Sequence, residues 1–483
     1  MSGPLQRVDA WFACSAFEAG ENVVYGYHLR ESVSRLFEIE LFIARDDDLP
    51  MDADATRELL RGPCALVLGE RHAPSEPMYG VLREWSLLEC APGHQTLYRA
   101  VMVPSLWVLT QTLRSRVFQA LSVPDILRAV LDEHGFVEDQ HYSVSVEASY
   151  PEREYVAQYE ESDFDFLARL LEHEGIFFFF DCSEGTDLAV FGDANGAFID
   201  ADTPDVRYVP RADRRGGEET FHRVQRRHRV VPHRVVIRDS NYRTPLVPLQ
   251  CDAEVHADGR GLVALYGDHF PDDGEGSRIA TVRAQEIATD EERCVASGYV
   301  PSLRSGRTFA LTDHPLDELD RDYVVIEIER RRDQEGPDTD VDRFTLLPRS
   351  VPYRPARETP KPRIFGYVHA RIDGEIEGTP APIDDQGRYR VLLPFDGVGE
   401  LGGRASRWMR RAQVYAGPAY GMHFPLHIGA EVLLAHLDGD PDRPIIAAAI
   451  PNPATSSPVT SENPTQSVLR TKGQIVQEWE DDA

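Results

Sequence analysis

Residues 155–180 run YVAQYEESDFDFLARLLEHEGIFFFF, which reads as a strand, a three-turn helix, an abrupt stop and a second strand. Ser162 is the expected N-cap, since its hydroxyl can accept from the orphan amides of the first turn. Asp163 and Asp165 put negative charge where the helix dipole favours it. Phe164, Phe166, Leu167, Leu170 and Leu171 form one broad apolar face. Asp165, Arg169, Glu172 and His173 form the opposite stripe, with Asp165 and Arg169 at ion-pair spacing. Gly175 falls where a left-handed residue closes a helix. Residues 176–180 are a continuous apolar run, too short for a membrane span and suited to a strand buried on both faces. The carboxylates of this stretch are therefore expected to be solvated or capping, not catalytic.

The pattern Y-x-E-S-D-F-D-F-L-x-R-L-L-E-x-E-G-I-F-F-F-F resembles the signature of the VgrG spike proteins of type VI secretion, relatives of contractile phage-tail hubs and spikes. A second stretch, from Trp408 to Pro444, reads W-M-R-R-A-Q-V-Y-A-G-P-A-Y-G-M-H-F-P-L-H-I-G-A-E-V-L-L-A-H-L-D-G-D-P-D-R-P and resembles the OB barrel of the same family. Met409 and Leu434 stand there where valine is expected, both apolar exchanges. The residues that carry the resemblance are Ser162, Asp165, Phe166 and Gly175 in the first motif. In the second they are Trp408, Gly417, Gly421, Pro425, Gly429, Glu431, Gly439, Asp440, Pro441 and Pro444, all as structural positions.

Around these motifs the chain is mainly β with a few helices. Residue 39 onward alternates Ile39, Leu41 and Ile43 with Glu38 and Glu40, following Phe37, and residues 64–68, 79–88 and 97–103 are further short strands. Such spacing suggests barrels or sandwiches, not βαβ units. A second helical unit opens at Ser122 and closes at Gly135, and as in Ser162–Gly175 the glycine lies thirteen residues after the serine. Shared capping rules produce that likeness, and so would an internal duplication. A helix is expected over 277–296, and the Arg- and His-rich residues 223–238 read as an exposed basic strand pair; His222, His228 and His233 lack zinc-ligand spacing.

Pro352, Pro355, Pro360 and Pro362 mark an extended linker at 351–363. It separates a hub region, residues 1–350, from a barrel at 364–455, with strands expected at 387–396, 408–416, 431–437 and 444–450. Residues 456–483 read as a linker and the first turns of a truncated β-helical needle, Val468-Leu-Arg-Thr-Lys-Gly473 resembling its opening lines. Only about sixteen residues separate Ile450 from Ser467, too few for an inserted lysozyme domain of the phage-spike kind.

Composition narrows the function. Net charge is −30, with Lys361 and Lys472 the only lysines, which argues against nucleic-acid partners. There is neither a signal pattern nor a membrane-length apolar run, so no stable membrane insertion is expected and export needs another route. Six dispersed cysteines suggest reduced, buried thiols, not zinc or a disulfide framework. Asp438-Gly-Asp-Pro-Asp442 has the alternating carboxylates of a calcium loop but not its glycine or its closing glutamate, and the resemblance makes it a β-turn between barrel strands. Neither catalytic residues nor a cofactor or metal site are expected.

The resemblance implies two hub barrels, a C-terminal OB barrel and the start of a needle. It implies a homotrimer docked on a hexameric, Hcp-like tube protein and baseplate components, with a PAAR-like tip protein or effectors if a full needle is present. Such a protein assembles in the cytoplasm and leaves by the contractile machine. A phage baseplate hub or an extracellular contractile particle fits the same residues. An envelope-glycan hydrolase would need two carboxylates about five to nine ångström apart in a cleft, and no pair is nominated.

Overall fold

The computed structural model describes residues 8–17, 20–46, 50–70, 73–91, 94–210, 218–334, 340–396 and 402–480. Among them β-structure dominates and four α-helices occur: α1 (Ala53–Leu59), α2 (Val123–Glu133), α3 (Asp163–Glu174) and α4 (Asp273–Ala288). The chain forms two compact units. Met1–Thr112, Val123–Tyr150 and Asp163–Pro360 make the first; Leu113–Ser122, Pro151–Ser162 and Lys361–Ala483 make the second. Two short pieces of the N-terminal stretch thus belong with the C-terminal unit.

In the first unit a single sheet of thirteen strands makes two curled halves. One half runs Ala10–Cys14, Pro63–Glu70, Met78–Glu89, Thr96–Val103, Glu38–Arg45 and Val23–Ser32. Its ends meet where Val8 N–H donates to Val24 O at 3.0 Å and Asn22 Nδ2 donates to Phe12 O at 2.8 Å. The other half runs Asp322–Arg332, Arg307–Thr312, Ile199–Tyr208, Thr220–His228, Glu292–Tyr299 and Val341–Pro348. Its last strand pairs back onto its first, closing a six-stranded barrel. The Val23–Ser32 and Asp322–Arg332 ladder fuses the halves. The alternation read around Ile39 holds, with Ile39, Leu41 and Ile43 fully buried. Helix α1, capped by Asp52, which accepts from Asp54 N and Ala55 N, was not legible among the short strands.

Three expectations shift. The helix expected over 277–296 is α4, which starts earlier because Asp272 caps it, accepting from Glu275 N at 3.0 Å. It stops earlier because Cys294 and Ala296 alternate inward on the Glu292–Tyr299 strand. The basic strand pair of 223–238 is not a pair. Thr220–His228 lies in the closed barrel, while Arg234–Asp239 is the centre of a separate sheet with Leu249–Glu254 and Leu262–Tyr266. Helix α4 covers that sheet through Ile279 and Ala280, and Gly276 lets it approach Cys251 and Phe270 too closely for a Cβ. The thiols are all free, but only Cys64, Cys182, Cys251 and Cys294 are buried; Cys14 is half-buried and Cys90 exposed.

The second unit packs Tyr155 and Ala157 with Ala370, Ile372, Tyr389, Val391, Val432, Leu434 and Ile446 in one core. Its main sheet runs Val391–Leu392, Tyr367–Ile372, Glu431–His436 and Pro444–Ala449. Met409 and Leu434, the two departures from the family pattern, are both core residues. Most of the strand expected at 408–416 is reduced to isolated bridges, because Met409 pairs with Tyr389 while Arg411 already pairs with Ile446; only Ala416 enters a regular strand. That segment turns a barrel corner within three residues. The strand expected at 387–396 is regular only at Val391–Leu392. Residues 351–365 hold no strand or helix.

Candidate functional site

Both sequence motifs become anchoring points. In the second unit, Glu431–His436 and Pro444–Ala449 are antiparallel neighbours joined through residues 437–443. The turn is made by Asp438 and Gly439, at φ 56° and 72°. Left-handed backbone suits glycine and is tolerated by aspartate, so D-G is well matched to it. Beyond it Asp440 and Asp442 point inward and are buried. Lys361 Nζ lies 2.6 Å from Asp440 Oδ1 and 2.6 Å from Asp442 Oδ2. The other Asp442 oxygen accepts from Ala157 N at 2.7 Å, and Asp440 Oδ1 accepts from Asp442 N at 2.9 Å. Two of the three calcium-like carboxylates, Asp440 and Asp442, are therefore occupied by an ammonium and by amides. Pro441 and Pro444 are buried beside them.

This turn ties three segments. Ile364 N donates to Gly439 O at 2.8 Å, fastening the end of the Pro-rich stretch. Arg407 Nη2 donates to Asp442 O at 3.0 Å while its guanidinium stacks 5.0 Å over the Tyr155 ring. Ala157 brings in the strand Val156–Ser162, itself paired with Leu113–Phe118. Half-buried His436 precedes the turn, and burial holds its imidazole below the ordinary range although Asp440 and Asp442 pull it upward.

The remaining family positions spread over the same unit. Glu431 accepts from Asn452 Nδ2 at 2.8 Å and lies 2.7 Å from His369 Nδ1; these bonds hold its carboxyl below the usual range. Gly429 N donates to Ile372 O at 2.9 Å, turning the chain into that strand. Trp408 lies under the Arg390 guanidinium at 4.5 Å, in a cleft of about 300 Å³ with Asp373 and Ile428. Gly417 and Gly421 sit in a small hairpin whose Tyr420 ring occupies the space a Gly417 side chain would need. Val414, Tyr415, Tyr420, Met422 and Phe424 are exposed around it, as is Pro425.

In the first unit α3 is enclosed on nearly every side. Ser162 is the last strand residue before the helix, Phe166 is fully buried and Asp165 alone of the acidic residues is exposed. The others are buried, so of the two roles expected for them, solvated or capping, the solvated one does not hold. Asp163 is fully buried with Oδ2 2.7 Å from His134 Nε2. Glu172 accepts from Glu358 N at 3.0 Å, Thr359 N at 2.9 Å and Thr359 Oγ1 at 2.8 Å, and burial raises its pKa. Glu174 pairs with Arg278, and buried Arg283 donates to the carbonyls of Glu172 and His173. Gly175, at φ 76°, closes the helix as read. A Cβ there would lie 2.6 Å from Val282 Cγ1 and 2.9 Å from Arg354 Cδ. Helix α4 and residues 354–359 thus supply partners that no local pattern announces. Lys361 left one faint signal: it is one of two lysines in the chain, placed beside the linker prolines.

The arrangement is one of fastening. Clustered charges meet backbone amides, carbonyls and opposite charges, and each motif pins segments distant in sequence.

Two family models match this layout. Residues 30–336 match the phage tail baseplate hub (GPD), and residues 381–450 match the type VI secretion system/phage-baseplate injector OB domain. Fold and matches together define a contractile-tail hub continued by an OB spike barrel. Spike protein VgrG1b of Pseudomonas aeruginosa is 29% identical over 92% of this chain and 60% of its own length. The chain therefore belongs to the baseplate hub family and, within it, to the VgrG spike proteins of type VI secretion. The actin cross-linking toxin VgrG1 of Vibrio cholerae is 29% identical over 82% of this chain and 37% of its own length. The c3393 protein of Escherichia coli, a type VI secretion component described as structurally similar to phage T4 gp27 and gp5, has the same fold. It superposes with a TM-score of 0.67 at 20% identity, covering 91% of this chain and 99% of that one. The chain spans about 60% of the length of the Pseudomonas relative VgrG1b.

Proposed function

We propose that the chain works as the hub and spike at the tip of a type VI secretion machine, in a structural and not a catalytic role. The observation that carries this reading is the order of a hub with a closed six-stranded barrel and an OB-domain match in one chain, matched over 92% of its length by a VgrG spike. Three copies form the working unit, seated on a hexameric tube protein and baseplate components. The assembly is exported by the machine into the target envelope, carrying effectors or a tip protein. Mechanical load suits what the motifs do: buried charge pairs and capped helix ends resist displacement without needing a substrate.

Within this reading Ser162, Asp165, Phe166 and Gly175 shape the hub helix, and the turn at Gly439, Asp440, Pro441 and Pro444 stiffens the barrel. Residues 351–363 link hub to barrel, and residues 466–480 begin the needle. The exposed side chains of Val414, Tyr415, Tyr420, Met422 and Phe424 are covered by neighbouring copies.

Light scattering at moderate salt should return three times the 54.4 kDa chain mass. A monomer at every concentration and salt overturns the trimer. In a producing strain, deletion of the gene should abolish release of tube protein into the medium, and unchanged release overturns the spike role. Peptidoglycan suspensions should stay turbid with the purified protein.

A further inference from the structure

We infer that Cys14 and Cys64 form a redox modification site, a thiol pair that closes to a cross-strand disulfide when it meets an oxidant of the disulfide class. The site rests on strand geometry. Only its timing, open in a reducing compartment and closed after export, rests on the function proposed above.

Ala10–Cys14 and Pro63–Glu70 are antiparallel neighbours with Cys14 directly opposite Cys64. Antiparallel ladders alternate hydrogen-bonded and non-hydrogen-bonded pairs, and the second kind brings Cα atoms to about 4.5 Å with side chains closest. Two observations put the cysteines at the second kind. Gly69 N donates to Asp9 O at 3.1 Å, which makes that pair hydrogen-bonded, and counting along the register by alternation leaves Cys14 and Cys64 non-bonded. Independently, both backbone groups of Cys14 turn the other way: its N donates to Phe17 O at 3.1 Å and its O accepts from Phe17 N at 3.3 Å. The expected Cα separation sits within the disulfide range of about 4.4–6.8 Å. Just beyond the pair, the Ser15 side chain fills the space a Gly62 side chain would need.

Among the described residues no other two cysteines face each other across a ladder: Cys251 is opposite Ile237, and Cys294 is opposite Arg226 and Leu346. Burial raises the Cys64 thiol, and Cys14 is the next cause; burial also raises Cys14, against the amides of Ala16 and Phe17 and the charge of Arg45.

Half-buried Cys14, on the edge strand, is the thiol that reacts first. Its thiolate attacks one sulfur of oxidised glutathione, forming a mixed disulfide and releasing one glutathione thiolate. Cys64 gives up its proton, attacks the Cys14 sulfur and expels the second glutathione thiolate. Two protein thiols are oxidised by two electrons and one glutathione disulfide is reduced to two thiols. The product staples the terminal edge strand to a residue 50 positions away in sequence.

The test uses the full chain, reduced and then exposed to oxidised glutathione, acid-quenched, unfolded and alkylated with a maleimide. Two of the six thiols should be protected, with a peptide pair joining Cys14 to Cys64 in the mass spectrum. Cys14→Ala should lose that peptide pair; because Cys14 is half-buried, this variant keeps the test open if Cys64→Ala fails to fold. Glutathione on exposed Cys90 with Cys14 and Cys64 both fully alkylated overturns the site. So does Cys14 held as a lasting mixed disulfide, or a link to any other cysteine. The timing is read separately, from the same peptides in protein recovered from the medium and from the cytoplasm. A linked form should appear in the first alone, and equal amounts in both overturn the timing while leaving the site standing.

Discussion

Arg354 Nη1 donates to the carbonyl oxygen of Gly175 across 2.9 Å, and the same side chain closes over the glycine so that its Cδ would lie 2.9 Å from any Cβ placed there. Gly175 is thus constrained twice, by its left-handed φ of 76° and by the crowd around it. Gly175→Ala should lose about 1–2 kcal/mol to the backbone and a further 1–3 kcal/mol, roughly, to overpacking against Val282. Gly175→Asn tolerates the backbone and should lose mainly the second part. Urea midpoints check this, and Val282→Ala in the Gly175→Asn background should restore stability. An asparagine variant as stable as the parent would leave only the backbone requirement.

Lys361→Met should cost about 3 kcal/mol, because it strands the buried Asp440 and Asp442 carboxylates beside each other. With the ammonium gone, one carboxyl should titrate upward through repulsion by its neighbour. The deficit should therefore shrink as pH falls from about 7 toward 4. Denaturant titrations of parent and variant at both ends of that range give the comparison; a constant deficit would mean the loss is packing, not charge.

His436 gives a pH dependence of the opposite sign. Burial lowers its pKa from 6.5, so the unfolded chain takes up the proton more readily than the folded one. Its contribution to stability is whole above about pH 6.5 and is lost as pH falls through the lowered folded value. His436→Gln should flatten the melting-temperature profile below pH 6.5, and an unchanged slope would assign the acid sensitivity elsewhere.

Residues 466–480 are a local hairpin, Gln466–Arg470 against Val476–Glu480, with Ile475 and Trp479 largely exposed. The hairpin lies within the segment that the resemblance makes the start of a needle. A lone two-stranded hairpin is marginal in water. Its amides should exchange quickly in dissociated chains and slowly in trimers, where copies can cover Trp479. Fast exchange in intact trimers would leave only a frayed terminus.

Sequence alone determined the punctuation of this protein. The helix bounded by Ser162 and Gly175, the buried phenylalanines after it, the helix opening beside Ser122 and the turn at Asp438 and Gly439 were legible there. Capping, left-handed closure and alternation act between residues a few positions apart, so a single segment carries them. Family resemblance added the order of hub and barrel. Tertiary structure alone decided what the charges do. Glu172 sits on the helix stripe read as solvated, yet it binds the amides of Glu358 and Thr359. Asp442 belongs to a turn, yet it holds Ala157 and Lys361. The same holds for the early end of α4, for the barrel corner at Met409 and for the short N-terminal pieces that join the C-terminal unit. In each case the partner lies far along the chain, and burial of a charge depends on what folds over it. That information is a property of the closed barrel, the other sheets and their packed helices, not of any local pattern.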